Sequence, residues 1–136
     1  MIVCATIVSD MKVLLVRHSS RSKPDYGHWL LPAGRMKLGE SPEEALKREM
    51  KEELSLEVDV VRELTEVIDP YTKDGLINFL CTQRTSNIVT SSELEEAKWF
   101  NTNEIRGIVN INRDLKQFLL LVLDSEGRVK DSRRVV

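Results

Sequence analysis

The chain has 136 residues, enough for one ordinary domain with little room for a second. An apolar share of 41% supports a buried core, and a charged share of 31% supplies a soluble shell. Twenty Lys and Arg against 22 Asp and Glu leave a net charge of −2, which argues against sequence-blind binding of polymeric nucleic acid.

Residues 1–8 and 12–17 are β-rich runs split by Ser9-Asp10, the pattern of a hairpin. The first run has no basic leader, so it predicts an opening strand in a cytoplasmic protein rather than a secretory signal. His18 to Gly27, with serines, Arg21, Lys23 and Pro24, reads as a loop. Trp29-Leu30-Leu31-Pro32-Ala33-Gly34 is a short extended piece stopped by Pro32, and residues 41–54 make the clearest helix. Residues 58–68 and 76–82 read as strands, with Asp69-Pro70 and Lys73-Asp74-Gly75 turning between them. Ala97 to Phe100 is a short strand, Asn103-Glu104 a helix start, and residues 112–123 a second long helix. Its apolar run, Phe118 to Leu123, falls far short of the roughly 18 to 20 residues of a membrane span. From Asp124 the charged tail (124–136) reads as a last strand or a flexible end. Cys4 and Cys81 form no CxxC pair, and His18 and His28 have no HxxxH spacing. Both thiols are expected in the core of a protein from a reducing compartment, without zinc.

The helix at 41–54 opens with three agreeing signals. Ser41 suits the N-cap, Pro42 the first helical position, and Glu44 completes a capping box. At about 100° per residue, Leu46, Met50 and Leu54 form one apolar stripe. Glu49, Glu52 and Glu53, with small Ala45 among them, form an acidic stripe beside it, edged by Arg48. Glu49 and Glu53 repel at i, i+4, and the helix dipole disfavours anions in this half. Such a stripe is either a solvated glutamate-rich face or a seat for hard divalent cations, which take oxygen ligands and keep waters. The helix alone leaves both readings open.

The upstream spacing bears on that choice. From Gly34 the order is five residues, Glu40, seven residues, Arg48-Glu49-Met50, one residue, Glu52-Glu53, with Leu56 in a final aliphatic place. This resembles the Nudix hydrolase family, whose box reads GX5EX7REUXEEXGU with U aliphatic. The one departure is Ser55, where the family has glycine. Trp29 to Gly34 is similar to the family's approach to the box, and Trp99-Phe100 adds a further likeness.

The resemblance implies a Nudix-type α/β/α sandwich, an α+β fold with a mixed sheet between helices 41–54 and 112–123. It implies hydrolysis of a pyrophosphate linkage, with Mg²⁺ or Mn²⁺ held by Glu49, Glu52, Glu53 and the carbonyl of Gly34. Arg48 is expected to orient Glu52 or Glu40 rather than touch substrate. The general base stays open among Glu49, Glu53, Glu93, Glu95 and Glu96, with Glu93 favoured as an extra ligand or base among the loop acids. Ser55 lies where a left-handed residue is needed, at a cost on the order of 1 kcal/mol. Arg17, Arg21, Lys23 and Arg35 are candidates for phosphate, and Tyr26 and Tyr71 for stacking on a base. Trp29 and Phe79 are expected in the core instead. Pro70 and Tyr71 both stand near a position that separates ADP-ribose enzymes from dinucleoside polyphosphate enzymes, so that marker decides nothing.

The leading expectation is therefore an enzyme acting on a nucleoside diphosphate derivative, an ADP-ribose-like compound or a (d)NTP. Two alternatives stand beside it. One is an isopentenyl diphosphate isomerase-like enzyme, which would need a catalytic cysteine and a degenerate box. The other is a silent nucleotide-binding module, which would be expected to have lost acidic ligands. The likeness also makes a homodimer an expected arrangement, although no interface can be picked out.

Overall fold

The computed structural model describes the backbone of residues 1–64 and 75–135 and the side chains of residues 1–64 and 75–124. In chain order the elements are β1 (Ile2–Ser9), β2 (Lys12–His18), β3 (Ala33–Arg35), α1 (Pro42–Leu54), β4 (Val58–Leu64), β5 (Leu76–Gln83), β6 (Leu94–Phe100), α2 (Thr102–Arg106) and α3 (Arg113–Val135). The expected end of the fourth strand, the Asp69-Pro70 turn and Tyr71 lie outside the described residues.

Three boundaries differ from the sequence expectation. The hairpin turn falls on Asp10-Met11, because Ser9 pairs with Lys12 and both turn residues take positive φ, 50° and 61°. That is the backbone of a two-residue hairpin twisted to match its strands. The strand β6 begins at Leu94, three residues before the apolar-aromatic signal, because Leu15 to His18 of β2 supply partners for Leu94 to Lys98. The last helix does not stop at Leu123 but runs to Val135. Neither proline nor a capping motif interrupts the sequence after Asp124.

The strands are ordered β4-β5-β1-β2-β6, with β3 pairing β1 off this path. Strand β1 runs parallel to β5 from Ile2 to Ile7. Its other edge is shared: Ile2 to Cys4 pair with β3, and Val8-Ser9 pair with β2. Between them, Ala5 N–H donates to Pro32 O at 3.0 Å, and Val16 and Leu30 exchange backbone bonds of 2.8 and 2.9 Å. The segment from Leu30 to Arg35 is thus wedged between β1 and β2 at one end of the sheet.

Side-chain alternation divides the interior into two layers. Val3, Ala5, Ile7, Leu14 and Val16 join Leu46, Met50 and Leu54 beneath α1. Cys4, Val8, Val13 and Leu15 join Leu119, Val122 and Leu123 beneath α3. Strands buried on both faces read as continuous apolar runs, which is why the first strands lack a polar side. Trp29 packs edge-on to Phe100, ring centroids 4.8 Å apart, and Trp29 and Phe79 are both buried in the core. The result is the expected mixed sheet between helices, an α+β sandwich.

Candidate active site

Helix α1 begins as its sequence requires. Glu44 N–H donates to Ser41 Oγ at 3.2 Å, and Ser41 N–H donates to Glu44 Oε1 at 2.9 Å. At the far end Ser55 takes the left-handed conformation, φ 54° and ψ 32°, and its N–H caps Lys51 O at 3.0 Å. Leu46, Met50 and Leu54 lock one side of the helix into the core. That fixes the opposite side over β3, where Gly34 pairs with Val3.

Arg48 ties the loop before α1 to the helix. Its Nε and Nη2 donate to the two oxygens of Glu40 at 2.5 and 2.9 Å, and Nη2 also donates to Arg35 O at 3.0 Å. Its Nη1 donates to Glu49 Oε1 at 2.9 Å and to Glu52 Oε2 at 3.2 Å. The guanidinium, with the Lys37 N–H, holds the Glu40 carboxyl down at a pKa of about 2. The carboxylates in turn push the Arg48 pKa further up.

The three glutamates do not converge on one point. Glu49 lies against Gly34 so closely that a Cβ on that residue would collide with its Cγ, Cδ and Oε2. Glu53 is buried, and its Oε2 has no hydrogen-bond partner. Burial, followed by the charges of Glu49 and Glu93, pushes its pKa up to about 7. Glu52 faces outward on the far side of Arg48, exposed. The wheel explains the split: Glu53 is only about 40° from Glu49, whereas Glu52 is about 100° from Glu53. Accordingly, among the described residues no three His, Cys, Asp or Glu side chains are gathered closely enough to hold a metal ion.

Glu49 and Glu53 open onto a cavity of about 380 Å³ that also takes Gly34, Arg35, Glu93, His18, Lys23 and Asp25 into its walls. Glu93 arrives there because Ser91 N–H donates to Glu53 O at 2.8 Å and Ser19 N–H donates to Glu93 O at 3.1 Å. Apolar walls come from Ile2, Cys4, Leu31, Leu76 and Leu115. A wider groove of about 870 Å³, between Met11 and Leu121 on α3, has neither the glycine nor a clustered pair of carboxylates. The paired carboxylates and the glycine therefore lie together on the smaller cavity.

Other candidates from the sequence are placed elsewhere. Arg17 does not line the cavity; its Nη2 donates to Glu96 Oε1 at 2.6 Å, and its guanidinium lies 4.9 Å over the Trp29 ring. Glu96 is thereby engaged, and Glu95 is exposed outside the cavity wall. Arg21 stacks 5.9 Å over the Tyr26 ring. Cys81 is wholly buried in the core, its thiol pushed up to about 12 by burial.

His18, Asp25, Cys4 and Asn112 line the cavity without having been assigned to it from the sequence. His18 terminates β2 at a register shift, where burial and then Lys23 lower its pKa. They come from four separate segments, so no spacing in the sequence links them.

The residues fit a hard divalent cation. The unpartnered buried oxygen of Glu53 and the Glu49 carboxylate against Gly34 make an anionic oxygen pair on the cavity wall, and Mg²⁺ is commonly held by one or two carboxylates with waters completing its shell.

A family profile described as NUDIX domain matches residues 1–122. The chain belongs to the Nudix hydrolase family. It is 30% identical over 108 residues to the uncharacterized Nudix hydrolase YvcI of Bacillus subtilis, covering 74% of this chain and 65% of that protein. It is 35% identical over 109 residues to the human mitochondrial NAD(P)H pyrophosphatase NUDT13, covering 76% of this chain and 30% of that protein. The chain thus spans less than two thirds of either curated relative. The MutT protein of Methanosarcina mazei shares the fold, with a TM-score of 0.74, 24% identity and 93% of each chain covered. The Nudix box of this chain is the segment from Gly34 to Leu56, carrying Arg48 and all three glutamates.

Proposed function

We propose that this Nudix enzyme hydrolyses the pyrophosphate linkage of a nucleoside diphosphate derivative, an ADP-ribose-like compound or a (d)NTP. The observation that carries the reading is Glu53: a buried carboxylate with an unpartnered oxygen, beside Glu49 seated on Gly34, at the wall of a cavity. Burying a charge without a partner is costly, so such a group is kept where a ligand or a proton completes it.

Glu49 and the Gly34 carbonyl would hold Mg²⁺ or Mn²⁺, with Glu53 as a further ligand; Glu52, a ligand in the family pattern, faces outward here on Arg48. The cation supplies positive charge to phosphate oxygens and acidity to bound water. Arg48 fixes Glu49 and the loop carrying Arg35, so the carboxylate is positioned before substrate arrives. Arg35 and Lys23 line the cavity as the cations that meet the diphosphate. Glu53, with a proton affinity near neutral pH, accepts the proton as the oxygen of water bonds to phosphorus. The bridging P–O bond breaks, and the two halves leave as phosphate monoesters, or as a monophosphate and pyrophosphate from a triphosphate. Glu93 lines the same cavity, on a segment whose Ser91 N–H donates to Glu53 O, and is the second candidate for that proton.

A panel of nucleoside diphosphate derivatives incubated with and without Mg²⁺ tests the reading. Metal-dependent release is expected, and H₂¹⁸O marks the phosphorus attacked. Turnover retained in full by Glu53→Gln would place the chemistry elsewhere.

A further inference from the structure

The sheet ends on β6, and no other described strand pairs with its outer side. What that side offers can be read from β2. Val16 N–H donates to Leu30 O at 2.8 Å, and Val16 O accepts from Leu30 N–H at 2.9 Å, so both polar groups of Val16 point away from β6. Val16 stands opposite Ala97. In an antiparallel ladder, two residues opposite each other either exchange both hydrogen bonds or turn both groups away. The N–H and C=O of Ala97 therefore point outward from the sheet, and by alternation so do those of Trp99.

The side chains beside that backbone carry opposite charges. Glu96 and Lys98 share one face of the strand, and Ala97 between them points to the other. Glu96 meets Arg17 at 2.6 Å yet its side chain stays 43% exposed, and Lys98 is exposed over the Phe100 ring. A twofold axis through Ala97 makes this pattern its own complement. An antiparallel second copy sets Glu96 against Lys98 and Lys98 against Glu96. Moving the centre one residue to either side sets Glu96 against Glu96 or Lys98 against Lys98, and like charges directly opposite are destabilising. An edge lysine ordinarily deters an arbitrary strand. A copy of this chain answers it with a carboxylate.

We infer that β6 is the surface on which two copies of this chain associate, antiparallel and centred on Ala97, with one sheet continuous across the pair. Ala97 of each copy donates its N–H to the C=O of the other. Glu96 and Lys98 then face each other twice, at the non-hydrogen-bonded positions where side chains on paired strands come closest. The contact is isologous, so every bond in it occurs twice and the assembly closes at two. The register shift between Arg17 and His18 leaves Glu95 as an extra residue in β6 and ends the regular ladder there. The shared edge is therefore short, and the association is weak and concentration-dependent rather than permanent.

Sedimentation velocity over protein concentrations from about 1 to 500 μM tests it, a range that spans weak association. The wild type should pass from monomer to dimer as concentration rises. Ala97→Pro deletes an N–H that faces away from β2, a place where an edge strand tolerates proline, and should stay monomeric with its fold confirmed by melting. Lys98→Glu and Glu96→Lys should each weaken self-association by about tenfold or more, because two opposite-charge pairs become like-charge pairs. Mixed together, these two variants should associate, since every cross-strand pair between them is again opposite in charge. Should Glu96→Lys fail to fold without its Arg17 bridge, Ala97→Pro and Lys98→Glu still decide the matter. A wild type that stays monomeric throughout, a dimer that survives Ala97→Pro, or folded charge variants that associate no better mixed than alone would overturn the inference.

Discussion

Replacing Glu53 by Gln separates the stability of this centre from its chemistry. The carboxyl shifts from an ordinary 4.5 to about 7, chiefly through burial. At about 1.4 kcal/mol per tenfold change in proton affinity, ionised Glu53 burdens the metal-free fold by roughly 3 kcal/mol. The sign follows from linkage. A carboxyl whose folded pKa is raised favours the fold fully below pH 4.5, and that advantage is lost as pH rises through 7. Glutamine stays neutral throughout, but leaves a buried amide unpaired, at about 1 kcal/mol or more. In EDTA, Glu53→Gln should therefore be more stable than wild type by about 1–2 kcal/mol at pH 8. Near pH 4 the difference should vanish or change sign. Urea unfolding at the two pH values measures it, and adding Mg²⁺ should then raise the wild type more than the variant, which keeps Glu49 and Gly34. A difference independent of pH would falsify the burial argument.

Gly34→Ala should cut metal affinity or turnover about 10- to 100-fold with the fold retained, because the new methyl displaces the Glu49 carboxylate and not backbone; calorimetric Mg²⁺ titration reads it. Glu49→Gln should weaken that titration more than Glu52→Gln, since Glu52 stands outside the cavity on Arg48. Arg48→Lys should lower kcat by about a hundredfold, because an ammonium cannot hold Glu40, Glu49, Glu52 and Arg35 O at once. Unchanged steady-state kinetics would refute this. Ser55→Gly should raise stability by roughly 0.5–1 kcal/mol, since φ is 54° there and glycine removes the left-handed strain; thermal melting checks it.

Much of this was legible in the sequence because it is local. Ser41, Pro42 and Glu44 announce the start of α1, and Leu46, Met50 and Leu54 announce its buried side within a few residues of each other. The spacing from Gly34 to Glu53 gave the family for the same reason. What escaped depends on pairing between distant segments. Arg17 looks free beside the box until β2 pairs with β6 and brings Glu96 across from 79 residues away. Glu52 looks equivalent to its neighbours until the helix rotation is fixed by the core and Arg48 draws it outward. Asp25 sits in a loop with no periodic signal, and only its place on the cavity wall, with Oδ1 shielded, marks it.

The divided edge of β1 has a wider consequence. One strand gives its first half to β3 and its last residues to β2, so its neighbours must diverge, and a cleft opens with no hollowing of either apolar layer. The vacancy is a product of connectivity. Its rim, the stretch between β2 and β3, lies outside the ladders that hold the frame. Lengthening or recasting its outer part, residues 19–22, would reshape what enters while leaving Gly34, Arg48 and Glu49 in place, a route by which one scaffold acquires many clients.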